Sequence, residues 1–120
     1  VLKTDAVEAA YLTGEQDIET AARRFASLGA KEILLSHSEG ILVHAEGKFY
    51  HYLFHANSMS GRSGRGDTCV GSYVAKRLTL PPYEAGKWSA ATTSLKIERL
   101  GVFNRSVAEV EEFISRHYAD

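Results

Sequence analysis

The sequence predicts an α/β fold with a short sheet, antiparallel towards its edge and packed by helices. Three observations carry this expectation. Residues 15–28 place apolar side chains at helical spacing and lead into the apolar run Ile33-Leu34-Leu35, the helix-then-strand order of α/β layering. The turns Ser38-Glu39-Gly40 and Glu46-Gly47-Lys48 then separate strand-like runs, and turns so short join antiparallel neighbours. Beyond residue 68 the apolar spacing returns to the helical period in three segments.

Taken in order, Val1-Leu2-Lys3-Thr4 reads as the end of a strand or loop. Asp5 to Leu12 reads as a short helix with Val7, Ala10 and Tyr11 as its apolar stripe. Asp5 is its N-cap, and Asp5-x-x-Glu8 has capping-box spacing with an acidic cap. Glu15 to Leu28 is an amphipathic helix with Ile18, Ala21, Ala22, Phe25 and Leu28 on one face, Arg23 and Arg24 on the other, and Gly29 as its stop. Ile33 to Leu35, Ile41 to Ala45 and Phe49 to Phe54 are the strands. The helix after residue 68 spans Cys69 to Leu78, with Val70, Tyr73, Val74 and Leu78 towards the core. Pro81-Pro82 opens another, with Ala85, Trp88, Ala91, Thr92 and Leu95 at core spacing and the small residues Ala90 to Ser94 allowing close approach. Ser106-Val107-Ala108-Glu109 is a capping box that opens the last helix, which buries Val107, Val110, Phe113 and Ile114.

A chain of 120 residues with 44% hydrophobic content suits one core, so residues 1–120 are expected to form a single domain. Fourteen basic and 15 acidic residues give a net charge of −1, which provides no electrostatic footprint for nucleic acid or an anionic membrane. A single cysteine, Cys69, excludes an internal disulfide framework and reads as a small packing residue. No apolar run approaches spanning length, and Asp5 and Glu8 interrupt any signal-like start. A cytoplasmic protein is the expectation. His37, His44, His51 and His55 alternate among strand faces, which favours surface histidines over a metal cluster.

The chemistry concentrates in Gly61-Arg62-Ser63-Gly64-Arg65-Gly66-Asp67-Thr68, a glycine-rich loop that feeds a helix N-terminus. The first turn of a helix offers unpaired N–H groups and the positive end of the macrodipole, and glycines let a phosphate approach the backbone. A carboxylate there would repel the phosphate unless it accepts a proton from a hydroxyl attacking that phosphate. Asp67 is that carboxylate. The spacing Gly61-x4-Gly66 does not make a Walker loop, because Asp67 stands where the lysine must be. Nor is it a dinucleotide loop, since Cys69 occupies the third glycine's place. Arg65-Gly66-Asp67 also spells an adhesion tripeptide, and glycine-serine-arginine runs are often linkers, but the apolar-periodic helix that follows argues for an ordered loop.

Gly64-Arg65-Gly66-Asp67-Thr68 resembles the G-x-G-D-T core of the ribokinase-like (PfkB) carbohydrate kinases. The resemblance implies a partial ribokinase-like fold, with Asp67 as catalytic base and Gly64, Arg65 and Gly66 as anion-hole donors. It matches Glu8 to the glutamate of an N-x-x-E motif that organises magnesium through its waters, with Asp5 replacing the asparagine. Where the family carries T-x-G, this chain has Leu35-Ser36-His37, and Ser36 or Ser38 could reach a phosphate from that turn. Thr93, Lys96 and Gly101 match the small-residue helix and glycine that border the nucleotide. Gly61 and Arg62 stand where the family often has aspartate and threonine, which argues against monovalent-cation activation and offers Arg62 or Arg65 as positive charge for the phosphates. The cofactors implied are ATP and Mg2+. Family members are considerably longer, so the chain reads as their carboxy-terminal, nucleotide-binding half. The amino-terminal part, with the lid and the sugar site, is not among these residues. A half of this kind is expected to self-associate or bind the missing part. The function implied is ATP-dependent phosphoryl transfer to a hydroxyl of a sugar or related small molecule; the alternatives are a non-catalytic nucleotide- or partner-binding module and a structural remnant.

Overall fold

A computed structural model describes residues 1–56, 64–99, 101 and 103–119. The chain divides into two compact units, Val1–His51 and Tyr52–Asp120. The first holds strand β1 (Leu2–Asp5), helices α1 (Ala6–Thr13) and α2 (Ile18–Ser27), strands β2 (Glu32–Ser36) and β3 (Gly40–Ala45), and most of β4 (Lys48–Leu53). The second holds α3 (Arg65–Arg77), α4 (Pro82–Ile97) and α5 (Val107–His117). The sheet order is β1-β2-β3-β4. β1 and β2 are parallel, with Leu2 opposite Ile33 and Asp5 opposite Ser36. β2 and β3 are antiparallel, with Leu35 opposite Leu42 and Leu34 opposite Val43. The α/β class and the antiparallel strands after β2 thus follow the sequence expectation.

In the first unit, period-two alternation sends Ile33, Leu35 and Leu42 to one sheet face, where they form a core with Ala9, Ala21, Ala22 and Phe25 of α1 and α2. Leu34, Ile41 and Val43 on the opposite face are also fully buried. The Asp5–Glu8 capping box forms as expected: the Glu8 N–H donates to Asp5 Oδ1 at 2.8 Å and the Asp5 N–H to Glu8 Oε1 at 3.1 Å. The α1 stripe does not face inward. Val7 and Tyr11 are 81% and 87% exposed, while Ala9 is buried, because the small side of this short helix is the one that fits close to the core. α2 begins at Ile18, where Asp17 accepts from the Thr20 N–H, and Leu28 is exposed at its end rather than buried. His44 is also a correction to the surface expectation. It is buried, stacks on Phe49 at 4.3 Å, and pairs through Nδ1 with the Lys48 carbonyl.

In the second unit, α3 and α4 run side by side. Ser89 Oγ donates to the Cys69 carbonyl at 2.8 Å, and the Lys76 ammonium lies 3.9 Å above the Trp88 ring. Cys69 is a free, fully buried thiol, which agrees with its reading as a packing residue. α3 starts four residues earlier than expected, because Arg65, Gly66 and Asp67 form its first turn. Its inward face is Cys69 and Tyr73, while Val74 and Leu78 are exposed. α4 is buried around nearly its whole circumference rather than along one stripe, which its small residues permit. On α5 the Ser106–Glu109 capping box is present, Val110 and Phe113 are buried, and Val107 is exposed. Tyr118 ties the end of α5 to the last residue of β4 and to α4: its hydroxyl donates to the Leu53 carbonyl and pairs with Ser94 Oγ.

Candidate active site

Among the described residues three of the five helices begin under a side-chain oxygen, Asp5 on α1, Asp17 on α2 and Ser106 on α5, while α4 begins behind Pro81 without one. α3 begins differently. Its N-cap is Gly64, with φ +80°, and no side-chain oxygen of the described residues caps it. The first helical bond is Thr68 N–H to the Gly64 carbonyl at 3.1 Å, so the N–H groups of Arg65, Gly66 and Asp67 have no carbonyl inside the helix to bond. Asp67 occupies the third helical position and is exposed. This end therefore joins uncapped amides, the positive pole of a helix of 13 residues and an accessible carboxylate.

Further cationic and hydroxyl groups belong to the same unit. Lys96 of α4 brings its Cε to 3.6 Å from the point where a Cβ on Gly64 would stand, although only 4% of this lysine is exposed. Thr93, one turn earlier on α4, is fully buried, and its hydroxyl has no hydrogen-bond partner among the described residues. The same holds for one terminal guanidinium nitrogen of Arg65, buried at the first helical position. Gly64, Arg65, Gly66, Asp67, Thr93 and Lys96 thus belong to one unit, and the Lys96 side chain reaches the neighbourhood of Gly64. Gly101 stands past the end of α4 with φ +89° and is exposed. Arg62 lies outside the described residues, as do Gly61 and Ser63.

The remaining predicted residues belong to the first unit, at the carboxyl ends of the parallel strands β1 and β2, the edge at which α/β sheets bind ligands. Asp5 and Glu8 sit at the β1–α1 junction, joined by the capping box. Ser36 is the last residue of β2 rather than part of the turn, and it is buried. The Lys3 ammonium donates to its hydroxyl at 3.1 Å and to the Thr4 carbonyl at 3.1 Å. Sequence reasoning missed Lys3. Parallel pairing across 33 residues brings it to Ser36, and the only advance signal is a lysine inside a short β-run. Among the described residues no group of three His, Cys, Asp or Glu side chains could hold a metal ion directly. No helix of the described residues is long and apolar enough to cross a membrane.

No family model and no curated protein matches the sequence. Solved structures do. The chain is similar to a pyrophosphate-dependent myo-inositol-1 kinase converted into a myo-inositol-3 kinase, with 35% identity and a TM-score of 0.83 over 98% of this chain and 42% of the other. It is also similar to a pyrophosphate-dependent kinase in the ribokinase family complexed with a pyrophosphate analog and myo-inositol, with 37% identity and a TM-score of 0.82 over 92% of this chain and 40% of the other. The fold alone is shared with an Arabidopsis thaliana ribokinase complexed with ribose and ATP, at 22% identity and a TM-score of 0.82 over 94% of this chain and 40% of the other. The chain thus spans about two-fifths of the length of these kinases. By fold, and by 35% and 37% identity over 98% and 92% of its length, it belongs to the ribokinase-like (PfkB) kinase family.

Proposed function

We propose that this chain is the carboxy-terminal, donor-binding half of a kinase that transfers a phosphoryl group to a hydroxyl of a sugar or related polyol, with Asp67 as general base. One observation carries the reading: a helix start with no capping side chain among the described residues, built on a glycine at φ +80°, with an exposed carboxylate at its third position. In the complete site the Asp67 carboxylate accepts the proton of the acceptor hydroxyl as its oxygen bonds to the terminal phosphorus of the donor. The bond from that phosphorus to the bridging oxygen breaks, and the shortened donor leaves with the electron pair. The Gly64 to Asp67 amides and the Arg65 guanidinium meet the charge on the transferring group with fixed dipoles and charge, which need no reorganisation as the reaction proceeds.

ATP with Mg2+ is the donor expected from the family's sugar kinases. Pyrophosphate is the second reading, supported by the relatives above 30% identity, which are pyrophosphate-dependent. Glu8 is kept as the residue that would meet magnesium through its waters: the cap engages one of its oxygens, which leaves the other for a metal-bound water. Within the first unit Ser36 and Lys3 are kept as a hydroxyl and a cation for phosphate, and within the second Thr93, Lys96 and Gly101 are kept as nucleotide neighbours. Arg62 is kept as a further phosphate contact. A buried free thiol suits a reducing compartment, so we assign the protein to the cytoplasm.

The acceptor site would come from the part of the family that these residues do not match. The test is therefore reconstitution: the chain is combined with the amino-terminal three-fifths of a 35–37% identical relative and phosphate transfer is followed. Asp67→Asn is expected to lower the rate by about 10²- to 10⁴-fold, the range a positioned base supplies, with donor affinity within threefold of the parent. Transfer at the parent rate would remove Asp67 from the base role. Donor binding without transfer in every combination would favour a non-catalytic binding module.

A further inference from the structure

Within the second unit the end of β4 is fastened to both α4 and the end of α5. The His55 N–H donates to Ser94 Oγ of α4 at 3.1 Å, and the Tyr118 hydroxyl reaches the Leu53 carbonyl and the same Ser94 Oγ. Ring contacts close this junction. His55 and His117 stack with centroids 4.5 Å apart and planes at 16°, Tyr118 meets the His55 ring edge-on at 5.3 Å, and Phe113 packs on His117 at 4.4 Å. His55 is exposed, so protons reach the pair from solvent. Neither ring has a part in the phosphoryl transfer proposed above.

Two stacked imidazoles tolerate one positive charge between them, because a cation is attracted to a neighbouring π-face, but two imidazolium rings at this separation repel. The surroundings do not neutralise the second charge. Burial first, then the His55 ring, then Arg116 on the same helix hold His117 below its ordinary value of 6.5, and Glu98 at the end of α4 opposes them least. Glu98 is itself engaged by Arg105 at 3.1 Å, and the Tyr118 phenol stays neutral throughout the acid range.

We infer that the His55–His117 stack is an acid-sensitive latch: with at most one ring charged it fastens the end of β4 to α4 and α5, and with both charged it opens and releases residues 53–55 from Ser94 and Tyr118. The chain runs on from His55 to Gly64, so the latch fixes the point from which the stretch leading into α3 departs.

An NMR titration of the whole chain from about pH 7.5 to about pH 5, the span in which histidine changes charge, tests this. The imidazole C–H shifts report each proton, and exchange of the His55 amide, corrected for its intrinsic pH dependence, reports the bond to Ser94. The two rings are expected to titrate in separate steps, and the amide to lose protection by about tenfold or more in the second step, together with a shift of the Tyr118 ring resonances. His117→Gln removes the second charge, so the corrected protection of the His55 amide should then stay at one level across the range, whatever level the loss of the ring sets. Circular dichroism over the same range is expected to show an unchanged helix content. Equal protection of the parent's His55 amide at both ends of the titration, or an acid loss that persists in His117→Gln, overturns the latch. A loss shared by the amides of the whole unit overturns it too, since that is global unfolding and not a local release.

Discussion

Gly64 and Glu46 adopt the same left-handed backbone for opposite reasons. At Gly64 (φ +80°) the conformation turns the chain into α3 and leaves its amides uncapped, and a side chain there would stand in ordinary contact with Lys96 rather than in a clash. The cost of Gly64→Ala is therefore backbone strain, about 1–2 kcal/mol of unfolding free energy by urea titration, and Gly64→Asn should lose less because asparagine tolerates this region. Equal losses for the two variants would show that contact, not backbone conformation, decides. Glu46 (φ +54°) pairs with Gly47 (φ +77°) in the two-residue turn between β3 and β4, where asparagine followed by glycine is the preferred pair. Glu46→Asn is expected to raise stability by about 0.5–1 kcal/mol, and an unchanged urea midpoint would refute it. At this scale the sequence marked Asp67 and the glycines, because glycine and a misplaced acid are visible as letters. It did not mark the burial of Lys96 or the bond from Lys3 to Ser36, because a lysine reads as a solvent residue until tertiary contacts draw it in.

The end of α5 makes a pH-sensitive element. Burial pushes the Tyr118 phenol up to about 12, partly offset by its bond with Ser94. A folded pKa above the unfolded value of about 10 means stability that is fully present below pH 10 and lost as pH rises through 12. Tyr118→Phe should remove the titration in that window, together with about 0.5–1.5 kcal/mol at neutral pH for the lost hydroxyl bond. A parent chain with constant stability from pH 10 to 12 would contradict this. On the acid side, His117 is held below its ordinary value by burial first and by the neighbouring His55 ring second; the two rings are stacked at 4.5 Å. A depressed folded pKa makes stability fall as pH drops below about 6.5 and through the folded value. His55→Gln should move the His117 midpoint upward in an NMR titration; no movement would remove His55 as a cause. Element types were legible because hydrophobic period and capping boxes are local properties: Asp5 with Glu8 and Ser106 with Glu109 cap as their spacing implies. Element edges and faces were less so. Glycines at positions 64 and 66 hid the first turn of α3, and Leu28, Val74, Leu78 and Val107 hold helical spacing yet lie outside, since spacing identifies a stripe without saying what covers it.

The first unit carries an apolar surface that its own core does not use. On α1, Val7, Tyr11 and Leu12 are 81%, 87% and 67% exposed, against a core that takes only the alanine side of the helix. β1 ends the sheet order and pairs only with β2 among the described residues, and it does so in parallel. Parallel strands are normally covered on both faces and flanked by further strands, and an open edge beside a patch of large apolar side chains is a pairing surface. The kinases that resemble this chain are more than twice its length, so the occupant that fits is the part of that length these residues do not match. In its absence the same surface should pair with a second copy. Sedimentation velocity of the chain at tens of micromolar is expected to show a concentration-dependent dimer or larger species, and the double substitution of Val7→Glu and Tyr11→Glu should shift it to monomer. Adding the amino-terminal three-fifths of a relative should displace self-association in the parent chain and have no effect on the doubly substituted one. A parent chain that stays monomeric and also ignores the added half would show that α1 and β1 are finished surfaces, and that the fold is complete without a partner.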